Sequence, residues 1–204
     1  MKNKINITLL IMTLAVGLTI SSCGRHSVPK PYGYFRITVP DTSYCCFHQQ
    51  HLTSGESTAL YPYTFGISSN AEIRRHPHEG EQYWIDIHYP SMNVDIHCSY
   101  KPVKGNLREL TDDAIEFIYK HASHASAIPE QAFENEDAHV YGVFFNLEGN
   151  TASPYQFFLT DSTHHFFRGA VYANCRPNSD SLAPVFNYMQ TDIKHLIETF
   201  QWQY

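Results

Sequence analysis

The sequence predicts an α+β fold, a single domain in which a mainly antiparallel sheet has two main helices packed against it. Most strand-like segments are joined by connections of hairpin length, which favours antiparallel pairing. Two segments instead space their apolar residues with the period of a helix. The composition agrees, because 14 Tyr and 13 Phe accompany only 17% charged residues and aromatic side chains are enriched in strands.

The first 22 residues are predicted to be a lipoprotein signal peptide and not part of this fold. Lys2 and Lys4 precede an uncharged apolar run from Ile7 to Ile20, which is short for a membrane span and typical of a secretory signal. The quartet Ile-Ser-Ser-Cys that follows resembles a bacterial lipobox and ends at Cys23. We therefore expect acylation of Cys23, with palmitate among the acyl chains, and a lipid anchor and short tether over residues 23–32.

The charge of the exported chain excludes one class of partner. Without Lys2 and Lys4 the formal net charge falls from −6 to −8. An acidic domain is not expected to bind nucleic acid or anionic lipid by electrostatics, so membrane contact is expected through the N-terminal lipid alone. Gly24 is not the aspartate that retains lipoproteins at the inner membrane in well-studied bacteria. We predict a periplasm-facing protein of the cell envelope, on either the inner or the outer membrane.

The strands are predicted from alternating apolar residues rich in aromatic and β-branched side chains. The single α+β domain is expected to span residues 33–204, with turns at 90–93, 149–150 and 161–163. In chain order, the predicted strands are Gly33–Val39, Tyr61–Ser68, Tyr83–Tyr89, Val94–Tyr100, His139–Leu147, Tyr155–Leu159 and His165–Tyr172.

The two helices are predicted from apolar residues that recur every three or four positions. The first spans Asn106 to His124, with Asn106 able to cap its start. The second begins around Asp180, with Pro184 in its first turn. Its buried stripe is expected to comprise Leu182, Val185, Met189, Ile193, Leu196 and Phe200.

A hairpin in the middle of the chain contains the same tripeptide, Asp-Ile-His, in both strands. A four-residue turn at 90–93 fixes the register and places Asp86 opposite His97 and His88 opposite Asp95, on the face away from the apolar residues. Two imidazoles and two carboxylates on one face could hold a divalent metal. The alternative, which we favour, is a polar sheet face stabilised by two cross-strand Asp–His pairs.

Four cysteines remain besides Cys23, in a compartment that is expected to be oxidising. Cys45 and Cys46 are adjacent in sequence, and successive strand positions point to opposite faces, so two complete bridges are unfavourable. We predict one disulfide from this pair to Cys98 or Cys175, with free buried thiols as the alternative.

No motif indicates an enzyme or a bound cofactor. Asp161, Ser162 and His165 supply the residue types of a catalytic triad, but a triad is assembled in space and needs oxyanion donors. Asp161 and Ser162 are better interpreted as turn residues whose side chains bond the local backbone. Neither a Gly-x-Ser-x-Gly elbow nor a His-Glu-x-x-His motif is present in the sequence.

Long segments of the chain resemble the gliding motility-associated lipoprotein family GldD. The resemblance is carried by residues 29–37 just after the anchor, 152–162 and 165–172 in the predicted sheet, and 177–185, 192–195 and 200–202 around the last helix. It covers essentially the whole exported chain, and the lipobox agrees with it.

This resemblance implies a Bacteroidota cell-envelope lipoprotein required for gliding and tied to the type IX secretion machinery, with no known enzymatic activity. Members of the family also occur in bacteria that do not glide. We therefore expect a non-catalytic accessory or assembly factor that contacts proteins of the gliding and secretion apparatus. The expected contact surface is the wet face of the sheet or the segment 152–172, with Tyr155, Phe157, Arg168 and Tyr172 as candidate partner-binding residues. A periplasmic domain that binds a metal or small ligand on the polar sheet face is the alternative.

Overall fold

The structure is a computed structural model that describes residues 38–47, 60–75, 81–176 and 178–203. The predicted signal peptide, Cys23, the tether and residues 33–37 of the first predicted strand lie outside the described residues. In chain order the elements are β1 Tyr44–Cys46, β2 Tyr63–Thr64, β3 Gly66–Ser68, β4 Glu72–Arg75, β5 Ile85–Tyr89, β6 Val94–Pro102, α1 Leu107–His121, a short 3-10 helix Ala122–His124, β7 Ala125–Ala127, β8 Glu130–Asn135, β9 Val140–Asn146, β10 Glu148–Gly149, β11 Tyr155–Thr160, β12 His165–Ala173, α2 Ser179–Glu198 and β13 Gln201–Trp202.

Seven strands form one antiparallel sheet in the order β4-β5-β6-β12-β11-β9-β8. Three small two-stranded sheets, β1–β3, β7–β10 and β2–β13, accompany it in the described part of the chain. Together with α1 and α2 they make up the α+β architecture that the sequence predicts, with a mainly antiparallel sheet and two main helices. The long strand β12 pairs with β6 along its whole length, so two segments distant in sequence form the middle of the sheet.

The first face of the sheet holds the main core, and α2 packs against it. Val185, Met189, Ile193 and Leu196 of the predicted stripe are buried there, whereas Leu182 is only half-buried. Most of the surplus aromatic residues pack in the same cluster. Its fully buried rings are Tyr63, Phe65, Phe157, Phe167 and Phe200.

The second face of the sheet is partly covered by α1. Ala114 and Ile118 of the helix are buried against apolar side chains of β9, β11 and β12, which form a second, smaller core. This cluster contains Val103, Phe145, Leu147, Phe158 and Phe166. The expectation of a wet sheet face is therefore wrong for this part of the sheet.

Several predicted elements differ in detail from the observed ones. The segment Tyr61–Ser68 is not one strand but two, β2 and β3, which pair with different partners. Asn106 stands at the N-cap position of α1, yet its side-chain oxygen accepts a hydrogen bond from the Lys104 amide and not from the helix. Asn178 caps α2 by accepting from the Ser181 amide, and Pro184 lies in the second turn of that helix and not in the first.

The N-terminal strand β1 is held to α2 by polar contacts. The Tyr44 hydroxyl donates to Oδ1 of Asp192 at 2.9 Å, and the Tyr44 ring stacks on His195 with 3.6 Å between ring centroids. Asp192 is 4% exposed. Burial raises the pKa of this carboxyl, and the Tyr44 hydrogen bond acts in the opposite direction.

Candidate functional site

The β5–β6 hairpin has the predicted register. Asp86 pairs with His97 and His88 with Asp95, while the intervening isoleucines, Ile87 and Ile96, pair on the buried face. The backbone reverses at Asn93, whose φ of 52° lies in the left-handed region that asparagine tolerates better than most residues. The four polar side chains therefore lie on the second face of the sheet, beside the part that packs on α1.

The four polar side chains form two separate hydrogen-bonded pairs. Nδ1 of His97 lies 2.6 Å from a carboxylate oxygen of Asp86, and Nδ1 of His88 lies 2.6 Å from one of Asp95. Because an ionised carboxylate can only accept, each imidazole donates the hydrogen bond. The hydrogen bond to Asp86 raises the pKa of His97, although partial burial opposes it. Asn174 donates from its side-chain amide to the second oxygen of Asp95 at 2.5 Å.

The geometry of these pairs bears on the metal hypothesis. Within the described ranges, no group of three or more His, Cys, Asp or Glu side chains is arranged to hold a metal ion. Each carboxylate is already occupied by its histidine, as expected for cross-strand pairs. A metal at Asp86, His88, Asp95 and His97 stays a prediction, and it would require both pairs to rearrange.

The predicted disulfide is not formed. All four thiols are free, with Cys98 buried and Cys45, Cys46 and Cys175 exposed. Cys98 lies in the middle of β6, a strand paired on both sides, and its side chain belongs to the main core. Burial raises the pKa of this thiol well above its ordinary value, so it behaves as a small apolar core residue.

The predicted partner-binding residues divide into two groups. Tyr155 is 6% exposed and Phe157 1%, and both pack in the main core, which corrects their assignment as contact residues. Arg168 and Tyr172 are half-buried on the second face of the sheet, next to α1. The aromatic residues of segment 152–172 serve mainly as core, because β11 and β12 are interior strands with helices on both faces.

Arg168 is the most unusual charge on the second face. Its guanidinium donates to the side-chain oxygen of Gln156 at 2.7 Å and lies 5.1 Å from the centre of the Phe117 ring. Among the described residues, no carboxylate lies within 4 Å of its nitrogens, and its buried Nε has no hydrogen-bond partner. Burial lowers the pKa of this guanidinium, but arginine stays protonated in proteins. The side chain is thus a half-buried cation without a counter-ion in the described part of the chain.

Arg168 lines a groove of about 330 Å³ between α1 and the sheet, which we name the α1 groove. Most of its wall is apolar. The residues that define it are Trp84, Lys101, Leu110, Phe117, Phe166 and Arg168, with His97 and Asp113 also lining it.

Two features of the groove keep its walls in place. The Tyr172 hydroxyl donates to Nε2 of His121 at 3.0 Å, because the Nδ1 of this histidine is 2.7 Å from the Phe117 carbonyl and must carry the proton. The Trp84 indole donates to the Tyr100 carbonyl at 3.0 Å. One hydrogen bond ties α1 to the sheet, and the other fixes a ring at the mouth of the groove.

The sequence does not single out the α1 groove, although one signal points towards it. Phe117 and Tyr119 of α1 are 47% and 57% exposed. Aromatic residues at such positions depart from the polar surface that a helix normally presents to water. Without the strand order, nothing places Phe117 beside Arg168.

Comparison with known proteins provides one match. A family model described as "Gliding motility lipoprotein GldD" matches residues 24–202. No curated protein and no solved structure matches the chain. A search of the described residues for a helix long and apolar enough to cross a membrane finds none.

Proposed function

Because the chain belongs to the gliding motility lipoprotein GldD family, we propose that it is a non-catalytic accessory or assembly factor of the Bacteroidota gliding and type IX secretion machinery. It is anchored by lipid at Cys23, faces the periplasm and acts through contacts with other proteins of the machinery. One observation carries the proposal: the family match begins at residue 24, directly after the cysteine that the sequence predicts to be acylated.

The distribution of polar groups supports action through contacts. Asp86 and Asp95 are each engaged by a histidine, and Asp161 accepts hydrogen bonds from three backbone amides of its own turn. The groups that the sequence offers for chemistry thus serve the fold. The α1 groove and the exposed Phe117 beside it are the features best suited to recognition.

The proposal predicts that acylation of Cys23 is required for function. In cells that lack the native gene, the Cys23→Ser chain is expected to leave the membrane fraction and to fail to restore gliding or type IX secretion, because it lacks the acyl chains that are proposed to hold the protein at the membrane. Cell fractionation and a secretion assay measure both effects. Cys45→Ser is the matched control and should behave as the parent, since the Cys45 thiol is exposed and free. Full activity of Cys23→Ser in the soluble fraction would contradict the proposal.

The competing function is metal binding by the Asp/His face, and it has its own test. The purified full-length protein is expected to contain less than one equivalent of zinc after dialysis. The double variant His88→Ala, His97→Ala should contain the same amount as the parent, because the imidazoles are expected to act as hydrogen-bond donors. Elemental analysis of both proteins decides. Stoichiometric zinc in the parent that disappears in the double variant would establish the metal function instead.

A further inference from the structure

The α1 groove combines an apolar wall with a cation that lacks a counter-ion. A guanidinium has five N–H donors, and Arg168 uses one on the Gln156 side chain while its Nε–H has no partner in the described part of the chain. A half-buried charge in this condition has lost hydration without gaining an ion pair. The stacking on Phe117 offsets part of that loss.

The other charges at the groove are already engaged or lie in solvent. The Lys101 ammonium pairs with Glu81 and also lies 5.3 Å from the Trp84 ring centre. His97 is hydrogen-bonded to Asp86. Asp113 lines the groove as an exposed carboxylate, and among the described residues it makes no ion pair with Arg168. Arg168 is therefore the cation at the groove that has no counter-ion in the described part of the chain.

The space next to Arg168 suits a small organic group. A volume of about 330 Å³ falls at the lower end of the range of ligand sites, roughly 300–1,000 Å³. Leu110, Phe117 and Phe166 supply apolar contacts there, and Phe117 is 47% exposed. A planar guanidinium recognises carboxylates through paired hydrogen bonds.

We propose that the α1 groove binds a carboxylate attached to an apolar group, with the carboxylate on Arg168 and the apolar group between Phe117 and Phe166. The ligand is either a small free acid or a peptide that presents a carboxylate beside an apolar side chain. The amide Nε2 of Gln156, the fully buried residue that holds Arg168, also has no hydrogen-bond partner in the described part of the chain. This inference does not depend on the proposed function, because binding is measured on the isolated protein.

The test is a binding measurement on the full-length lipidated protein in detergent, with empty micelles as the blank. The probes are phenylacetate and the peptide acetyl-Ala-Phe with a free carboxyl terminus, each compared with its neutral amide. Both acids should bind at least about tenfold more tightly than their amides, because hydrogen bonds to a charged group are lost in the amide. Binding of phenylacetate alone would identify a small acid as the ligand class, and tighter binding of the peptide would identify a peptide.

Variants separate a binding role of Arg168 from a structural one. Arg168→Met should reduce the affinity for the acids to that of the amides, while Arg108→Met, which removes a 94%-exposed arginine from α1, should change nothing. The double variant Arg168→Met, Gln156→Leu removes the cation together with its amide partner. It should unfold at no lower temperature than the parent and still fail to distinguish acid from amide.

Two results would overturn the inference. One is that neither acid binds the parent protein more tightly than its amide. The other is that Arg168→Met lowers the unfolding temperature but leaves the preference for acids intact, which would make this arginine a purely structural residue.

Discussion

Replacing Phe167 with alanine is expected to lower the free energy of unfolding by about 3–5 kcal/mol. Phe167 is fully buried at the centre of the main core, with its ring 4.8 Å from Tyr63 and 5.1 Å from Phe200 between centroids. Tyr63 belongs to the short strand β2, and Phe200 follows the end of α2. A cavity at Phe167 therefore weakens the contact between the seven-stranded sheet and these two segments. Urea unfolding of the purified protein, followed by circular dichroism, measures the loss.

Phe117→Ala is the matched control, because it makes the same chemical change on an exposed surface. Phe117 is 47% exposed, and its removal should change the free energy of unfolding by less than about 1 kcal/mol. Since domains are stable by only about 5–15 kcal/mol, the two variants should differ visibly. Equal losses in both would contradict the assignment of Phe167 to the core.

Replacing Asp161 with alanine is expected to lower the free energy of unfolding by roughly 2 kcal/mol at neutral pH. The carboxylate accepts hydrogen bonds from the amides of Thr163, His164 and His165, in the turn between β11 and β12. Burial alone would raise its pKa, but these three bonds outweigh burial and hold the pKa at about 2 instead of 3.8. A difference of this size corresponds to roughly 2 kcal/mol of stability.

The pH dependence of the Asp161→Ala effect has a definite sign. A carboxyl with a depressed folded pKa stabilises the protein above its unfolded pKa, and the stabilisation is lost as the pH falls through the folded pKa. The difference between parent and variant should therefore be full above pH 3.8 and shrink as the pH approaches 2. Unfolding measured at neutral pH and near pH 3 tests this. Asp161→Asn, which keeps a neutral acceptor, should lie between the two proteins, and a constant difference at all pH values would contradict the account.

The sequence predicts the central hairpin well because the determinants of its register are local. A turn of four residues between Tyr89 and Val94 fixes the pairing, and the alternation of Ile87 and Ile96 with polar neighbours fixes the buried face. The same holds for Asp161, whose role as a turn residue bonding the local backbone is confirmed. In both cases the relevant interactions lie within a few residues in sequence.

The edges of the sheet and the groove depend on non-local pairing, which the sequence does not reveal. Strands β4 and β8 are largely polar and exposed, so they lack the alternation that indicates a strand. The insertion of β12 between β6 and β11 decides which half of the second face α1 covers. That choice also decides that Arg168 is enclosed while the Asp/His pairs lie beside it.

The aromatic residues of segments 152–162 and 165–172, which carry the family resemblance, differ in burial from those of α1. Phe157, Phe158, Phe166 and Phe167 are all buried, so these rings hold the sheet between its two helices. The exposed aromatic residues Phe117 and Tyr119 instead lie in α1, outside those segments. Among the described residues, the large exposed aromatic side chains thus lie on α1, where the composition alone gave no reason to look.

The most direct test of the proposed function is chemical crosslinking in intact membranes, followed by purification of the full-length lipidated protein and identification of its covalent partners. If the protein is an accessory factor of the gliding and secretion apparatus, subunits of that apparatus should be recovered reproducibly and should be absent when the Cys23→Ser chain is used. Recovery of the same proteins from both chains, or of no subunit of the apparatus from the anchored one, would contradict the account.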